Sequence, residues 1–476
     1  MLQWLRRAFG GGQQAPDAAE LYRLGEAEAL RRNHGPAEAL LRQALEKDGN
    51  VPRYHYALGC VLQATGRAQD AAECYRRALA LDSRFVPAMT NLGTLLQAGA
   101  GRTPGAEAQL AEALRLFRES TEIAPEYADG WINLGFALER QVRLAEARAA
   151  YDRALALDPA LADARFNRSL VLLAQGDYRE GFREYEWRWP ATGYPRPQFN
   201  GPEWAGGPLE GKTVFLYAEQ GFGDAIQFVR YAAMLEERGA RVLLRSHLEL
   251  RRVFERVRGV TGIVAPQDVP PFDFHCSLLS LAGLFGTTID TVPAQVPYIR
   301  ADAALAAQWR ERLRGEAPAL RVGLVWTSQS LMPDAAGKSA ALAALAPLRN
   351  VPGVRYYSLQ LGAAAREAAA GPVPMKDLTG AITDFDDTAA LLDSLDLIVS
   401  VDTAVAHLAG AMAKPVWTML RHAPDWRWYP DERQSRWYPT MRLYRQRRPG
   451  DWLAVAEEVA RDLAARVAES SVTSPT

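Results

Sequence analysis

Asp402, Thr403 and His407 stand where a continuous apolar run, Leu397 to Val401, gives way to an Ala-rich segment with helical spacing. The run is short and rich in β-branched residues, as expected of a strand buried on both faces. Asp402 is placed to cap a helix running from Thr403 to Met412. A helix that starts at the carboxyl edge of a parallel sheet aims free N–H groups and its positive dipole end at an anion, which suits a diphosphate. Thr403 and His407, four apart, share one helical face with that start. Ala406, Ala409, Gly410 and Ala411 leave room for a ligand or a neighbouring backbone.

A second stretch, GFGDAIQF at residues 221–228, sits between an apolar run and a helical one. Gly221 and Gly223, around Phe222, allow backbone close to a ligand, and Asp224 occupies a capping place. Gln220 and Gln227 are polar partners for it. Ile226 stands where a dinucleotide fingerprint has its third glycine, so that chemistry is not indicated. A third stretch, residues 422–439, crowds Trp426, Trp428, Tyr429, Trp437 and Tyr438 among charges. Such faces suit a sugar or a nucleobase, and equally a packed core. Core packing is expected for most of them, with Asp425 and Trp426 kept as cleft residues.

Other candidates read as structural. His34, His55 and His247 fall in helical or helix-end positions, and His275 and Cys276 point to opposite faces of a strand. Asp386, Asp387 and Thr388 have the composition of a helix start. The three cysteines form no metal-ligand cluster and no disulfide framework. A formal net charge of −1 argues against a nucleic-acid partner bound through a basic surface. No run reaches the length of a membrane span, and MLQWLRRAFGGGQQ is too short in apolar residues for a signal peptide, so a cytoplasmic protein is expected.

The elements that must position these residues come in two kinds. Glycines preceded by leucine recur at Gly25, Gly59, Gly93 and Gly135, with Ser169 in the next equivalent place, at intervals of 34, 34, 42 and 34. Ala37, Ala44, Ala71, Ala78, Ala147 and Ala154 repeat at fixed offsets from three of these markers. Small residues at such places let antiparallel helix pairs pack closely. This pattern resembles the tetratricopeptide repeat, with an insertion at residues 98–105. Gly176 and Asp177 turn the last pair, and Trp187 and Trp189 are expected to plug its open end. From Lys212 onward strands alternate with helices, which argues for parallel sheets covered on both faces. GFGD is expected as a tight loop, followed by one helix to Gly239, and an Ala-rich helix is expected near Leu342. A second start at Val322, after a helical linker, divides this region into two lobes.

The string DLIVSVDTAVAHLAGAMAKPVW, residues 396–417, resembles the donor-binding strand and helix of the ADP-heptose-type heptosyltransferases. More closely, the chain is similar to bacterial proteins in which tetratricopeptide repeats are fused to such a glycosyltransferase-like domain. The resemblance implies an α solenoid followed by an α/β GT-B fold of two doubly wound Rossmann-like lobes. The expected layout is an N-terminal arm at 1–17, a solenoid at 18–190, a linker at 191–211 and a first lobe at 212–300. A second linker at 301–319, a nucleotide-sugar lobe at 320–468 and a disordered tail at 469–476 complete it.

The resemblance also implies roles. Asp224 becomes the base that activates an acceptor hydroxyl, a task a carboxylate within reach can perform. Donor binding falls to Lys338, Ser339, Gln360, Asp402, Thr403, Ala404 and His407. Lys338–Ser339 matches the basic–Ser pair that ends the loop after the first strand of the second lobe. Relatives carry more basic residues in that loop, and commonly Lys where this chain has Leu361. No cofactor or metal is implied; the partners are a nucleotide sugar and a protein or glycan acceptor presented by the repeats. Relatives point to inversion by direct displacement. The alternative is a non-catalytic scaffold whose repeats bind a protein and whose second domain is degenerate.

Overall fold

The computed structural model describes residues 16–99, 106–314, 319–329 and 335–472. Residues 1–15 of the arm, 100–105 of the repeat insertion, 315–318 of the second linker, 330–334 of the Lys338 loop and 473–476 of the tail lie outside them. The chain divides into two compact units, Met1–Ala137 with Ala156–Asp158, and Leu138–Leu155 with Pro159–Thr476.

The first unit is built from antiparallel helix pairs: Ala18–Leu30 with His34–Lys47, Pro52–Ala64 with Ala68–Leu81, and Val86–Gly99 with Ala106–Ile123. Its repeated glycines are sites of close approach. A Cβ on Gly25 would stand 2.8 Å from Leu41, on Gly59 2.6 Å from Tyr75, and on Gly93 2.7 Å from Phe117. Each of these three marker glycines thus admits a large side chain of its partner helix, which accounts for the small residues at these places. The Val86–Gly99 helix absorbs the first two residues of the expected insertion.

The second unit holds the last repeat pair, Ala162–Ala174 and Tyr178–Tyr185, together with two parallel sheets. The first sheet has the order β3-β2-β1-β4, from β1 (Thr213–Tyr217), β2 (Arg241–Arg245), β3 (Val260–Val264) and β4 (Phe274–Ser277). The second has the order β10-β9-β8-β5-β6-β7. Its strands are β5 (Leu320–Val325), β6 (Val354–Ser358), β7 (Met375–Asp377), β8 (Leu397–Val401), β9 (Val416–Leu420) and β10 (Met441–Arg445). All pairings between these strands are parallel. The chain winds outward in opposite directions from the β1/β4 and β5/β8 pairs, so each sheet has a switch point at its carboxyl ends. Every residue of β8 is buried, as its apolar run requires. No helix among the described residues is long and apolar enough to cross a membrane.

Several local expectations are corrected. GFGD is not a loop: Gly221 is the N-cap and Phe222–Phe228 is already helical. The helix then breaks before Tyr231–Glu236, where Arg230 Nε donates to the Gln227 carbonyl at 2.8 Å, an acceptor that an unbroken helix would use. The segment Leu342–Asn350 is a 3₁₀ helix rather than an α-helix, with Pro347 inside it. Residues 191–211 are no free linker. A short helix runs to Thr192, and Trp204, 1% exposed, donates its N–H to the His275 carbonyl at 2.9 Å along the edge of β4. The last helix extends through Val472, beyond the expected tail boundary at 469, because neither glycine nor proline interrupts it.

The end of the repeats is sealed mainly by residues other than the expected tryptophan pair. Tyr178, Phe182 and Tyr185 join one buried cluster with Trp426, Trp428 and Trp437. Tyr178 and Phe182 meet the Trp426 ring edge-on, at 5.9 and 5.6 Å, and Trp437 Nε1 donates to Tyr178 Oη at 3.0 Å. This shared core explains why the last repeat pair belongs with the α/β unit.

Candidate active site

The helix Phe222–Phe228 leaves the carboxyl end of β1, and the helix Ala404–Ala411 leaves that of β8; the two pack against each other. Their contact is closest at Gly223, where a Cβ would lie 2.9 Å from His407 Cδ2. Around this seam stand two linked groups of charges.

In the first group Arg427 is the hub. It donates to Asp224, to Asp425 Oδ1 at 2.8 Å and to Gln227 Oε1 at 2.6 Å, while its guanidinium lies 4.5 Å from the Trp426 ring centroid. Asp224 also accepts the Gly221 N–H at 3.2 Å, closing the first turn of its own helix. Burial pushes the Asp224 carboxyl above its usual range, against the lowering by Arg427. Burial acts the same way on Asp425, but Arg427 and Lys338 outweigh it and hold that carboxyl low. A partly buried carboxyl with a raised pKa beside one kept ionised is an arrangement suited to proton transfer.

In the second group Lys338 Nζ donates to Asp402 Oδ2 at 2.8 Å, across the β5/β8 switch point. Burial opposes both charges, yet each partner outweighs it: Lys338 is held above its usual value and Asp402 well below. Asp402 is therefore not the N-cap. Thr403 takes that position without a side-chain cap, and its hydroxyl lies 2.9 Å from Ser400 Oγ. The first N–H groups of the Ala404–Ala411 helix thus receive no side-chain cap from Thr403, while Asp402 is bonded to the lysine. His407 Nδ1 lies 2.9 Å from Tyr438 Oη, and Nε2 lies 3.8 Å from Asp402. Burial drives its imidazole down to about 3, against the pull of Asp402, so the ring is neutral.

The remaining expected residues divide. Gln220 and Phe222 border the seam, Gln220 with φ of +62°, and Ser339 Oγ accepts the Ser328 N–H at 3.0 Å, bracing the Lys338 loop. Gln360 is a correction. It is 1% exposed and its Oε1 accepts the N–H groups of Trp326 and Thr327, at 3.1 and 2.9 Å, so it splints the end of β5 instead of facing a donor. Trp426 is a second correction, being 4% exposed and packed in the repeat-facing core. Gln227 is fully buried behind Arg427. Arg427 itself was not anticipated; its signal in the sequence is a lone arginine held between Trp426 and Trp428. Among the described residues no group of three or more His, Cys, Asp or Glu is placed to hold a metal ion. A groove of about 720 Å³ lies elsewhere in this unit, between residues 142–146 and 429–432, and none of the candidate residues lines it.

Family comparisons match the chain in three places. Tetratricopeptide repeats match residues 52–85 and 95–162, and glycosyltransferase family 9 (heptosyltransferase) matches residues 362–437. The last match contains Asp402, Thr403, His407, Asp425 and Arg427 and leaves Asp224 and Lys338 outside it. Protein FlbA of Caulobacter vibrioides is 28% identical over 415 residues, covering 79% of this chain and 68% of that protein. The type IV pilus assembly protein PilF of Pseudomonas aeruginosa is 29% identical over 177 residues, covering 37% of this chain and 64% of that protein. The solved structure of PilF aligns with 46% of this chain and 85% of its own, at 22% identity and a TM-score of 0.34. The chain thus joins tetratricopeptide repeats to a domain of the glycosyltransferase family 9 (heptosyltransferase) type and is homologous to FlbA over most of its length.

Proposed function

We propose that the chain transfers a sugar from a nucleotide-sugar donor to a protein or glycan acceptor presented by its repeats, in the cytoplasm and without a metal. The observation that carries this reading is the seam itself: Asp224 on one side, and Lys338 with the open start of the Ala404–Ala411 helix on the other. In this reading the donor diphosphate takes the uncapped N–H groups and the Lys338 ammonium, which between them offset its charge. Asp224 accepts the proton of the acceptor hydroxyl as its oxygen attacks the anomeric carbon, and the nucleoside diphosphate leaves. Thr403 sits beside the departing phosphate. Arg427 holds the base ionised and aimed.

A second reading has a specific observation in its favour. Lys338 is paired with Asp402, and Arg427 with Asp224 and Asp425, so each cation of the seam already has a carboxylate partner. A scaffold whose transferase-like domain no longer turns over would keep such pairs as structure. A panel of nucleotide sugars in a thermal-shift assay separates the two, since a ligand bound to the native state raises the melting temperature. The transferase reading expects at least one donor to raise it and to lose its sugar to an acceptor. If no donor shifts the transition and none is consumed, the scaffold reading replaces it.

A further inference from the structure

The crevice of the first sheet is not open; a side chain from the end of the repeats fills it. Arg188, in the short helix Arg188–Thr192, is 1% exposed and lies across the carboxyl ends of β1 and β4. Its Nε and Nη2 donate to Glu219 Oε1 at 3.1 and 2.6 Å, and Nη2 also to Ser280 Oγ at 2.9 Å and Ser277 Oγ at 3.4 Å. Nη1 donates to Glu186 Oε1 at 2.8 Å and to the Tyr185 carbonyl at 3.3 Å. Ser277 ends β4 in register with Tyr217 of β1, and it also donates to Glu219. A guanidinium is costly to bury unless its donors are satisfied, and here each nitrogen has an acceptor.

What Arg188 holds is the root of the base loop. Glu219 is followed at once by Gln220, whose φ of +62° is a strained conformation for a residue with a side chain. Such a conformation persists only where its surroundings fix it. His247 Nε2 lies 3.1 Å from the Gln220 carbonyl, and Gln220 Nε2 donates to Tyr185 Oη at 3.4 Å, a second group from the last repeat. Gly221 comes next, and its N–H goes to Asp224. We propose that Arg188 is a positioning residue: by clamping Glu219 it fixes the Gln220 turn and so the place of Asp224 at the seam. The inference rests on the transferase reading for the role of Asp224, but the clamp is testable without it.

The full chain with Arg188→Lys keeps a positive charge and loses the fork that spans the glutamate and both serines. Glu219→Gln removes the opposite charge at nearly the same size. If Arg188→Lys does not fold, Glu219→Gln carries the same comparison. Hydrogen exchange, read on peptides covering residues 218–228 and 397–411, is expected to quicken at least tenfold in the first and stay unchanged in the second. In the transfer assay kcat should fall at least tenfold while the donor Kd stays within twofold. Wild-type protection of residues 218–228 in a folded variant, or faster exchange spread evenly over both peptides, overturns the clamp. An unchanged kcat overturns it as well. If the wild type transfers no sugar, the transferase reading fails by itself, and the exchange comparison still decides whether Arg188 fixes this loop.

Discussion

Gly223 and His407 come so close that a methyl group on Gly223 would stand 2.9 Å from the imidazole Cδ2. One residue belongs to the helix that carries Asp224 and the other to the helix whose N-cap Thr403 makes no side-chain cap. The seam is therefore set by an atom that is absent. His407 cannot give way freely, since its ring is buried, bonded to Tyr438 and 5.3 Å from the Trp428 ring.

Gly223→Ala is expected to destabilise the fold although alanine favours helices by about 1 kcal/mol over glycine. Overpacking a fixed contact costs about 1–3 kcal/mol, which outweighs that gain. Gly221→Ala is the steric control: its Cβ would meet nothing nearer than Asp224 Oδ2 at 3.5 Å, which leaves only the smaller cost of alanine at an N-cap. Denaturant unfolding should rank Gly223→Ala clearly below wild type and Gly221→Ala close to it; equal midpoints for all three would show that the seam has slack.

Lys338→Ala should weaken binding of a nucleoside diphosphate by about 1.5–3 kcal/mol, the worth of a charge-assisted hydrogen bond. It also leaves Asp402 buried without its cation, so the variant should melt earlier. Adding Asp402→Asn removes that uncompensated charge and should restore part of the stability but none of the affinity. Calorimetry with the diphosphate reads the affinity. Undiminished binding to Lys338→Ala would mean that the ammonium serves Asp402 alone.

Asp224→Asn should preserve the fold and donor affinity, since the first turn of its helix needs only an oxygen acceptor for the Gly221 N–H. Arg427 keeps Asp425 and Gln227 as acceptors. Transfer should fall by roughly 10²–10⁴-fold, the contribution of a general base. Wild-type and variant rates measured on one donor and acceptor settle it, and equal rates would remove Asp224 from the mechanism.

The repeats, the paired lobes and the β8–Ala404 unit were legible because each follows a period or a switch of period: 34 residues, alternation, and an apolar run ending at an acidic residue. What escaped was set by contacts far apart in sequence. Asp402 looks like a cap from its neighbours, but Lys338 claims it from 64 positions away. Asp224 is joined to Arg427 across 203 positions, and nothing local to either marks the pair. Gln360 resembles a cleft residue by place, yet two unpaired N–H groups at the end of β5 capture its amide. Aromatic crowding around Trp426 was visible, but its choice between core and cleft depended on Tyr178 and Phe182, more than two hundred residues earlier.

The buried imidazole of His407 makes stability depend on pH. Its folded pKa is lowered to about 3 by burial, from an ordinary value of 6.5. Between those values the unfolded chain binds a proton that the folded protein refuses, so stability falls as pH falls. The contribution of the neutral ring is complete above pH 6.5 and is lost progressively as the pH drops toward 3. One such proton changes the unfolding free energy by about 1.4 kcal/mol per pH unit. Asp402 and Asp425, held low by their cations, add losses of the same sign at more acidic pH, and His275, lowered by burial, adds one in the same window, so the difference between wild type and a His407 variant from pH 5 to 6.5 is what reads His407. His407→Gln keeps a hydrogen-bonding side chain for Tyr438 and cannot titrate. Its absolute stability should be lower at pH 7, but its stability should vary less with pH between 5 and 6.5 than that of the wild type. Urea unfolding at several pH values across that window gives both slopes, and parallel slopes would show that His407 is not the buried neutral ring the seam is built on.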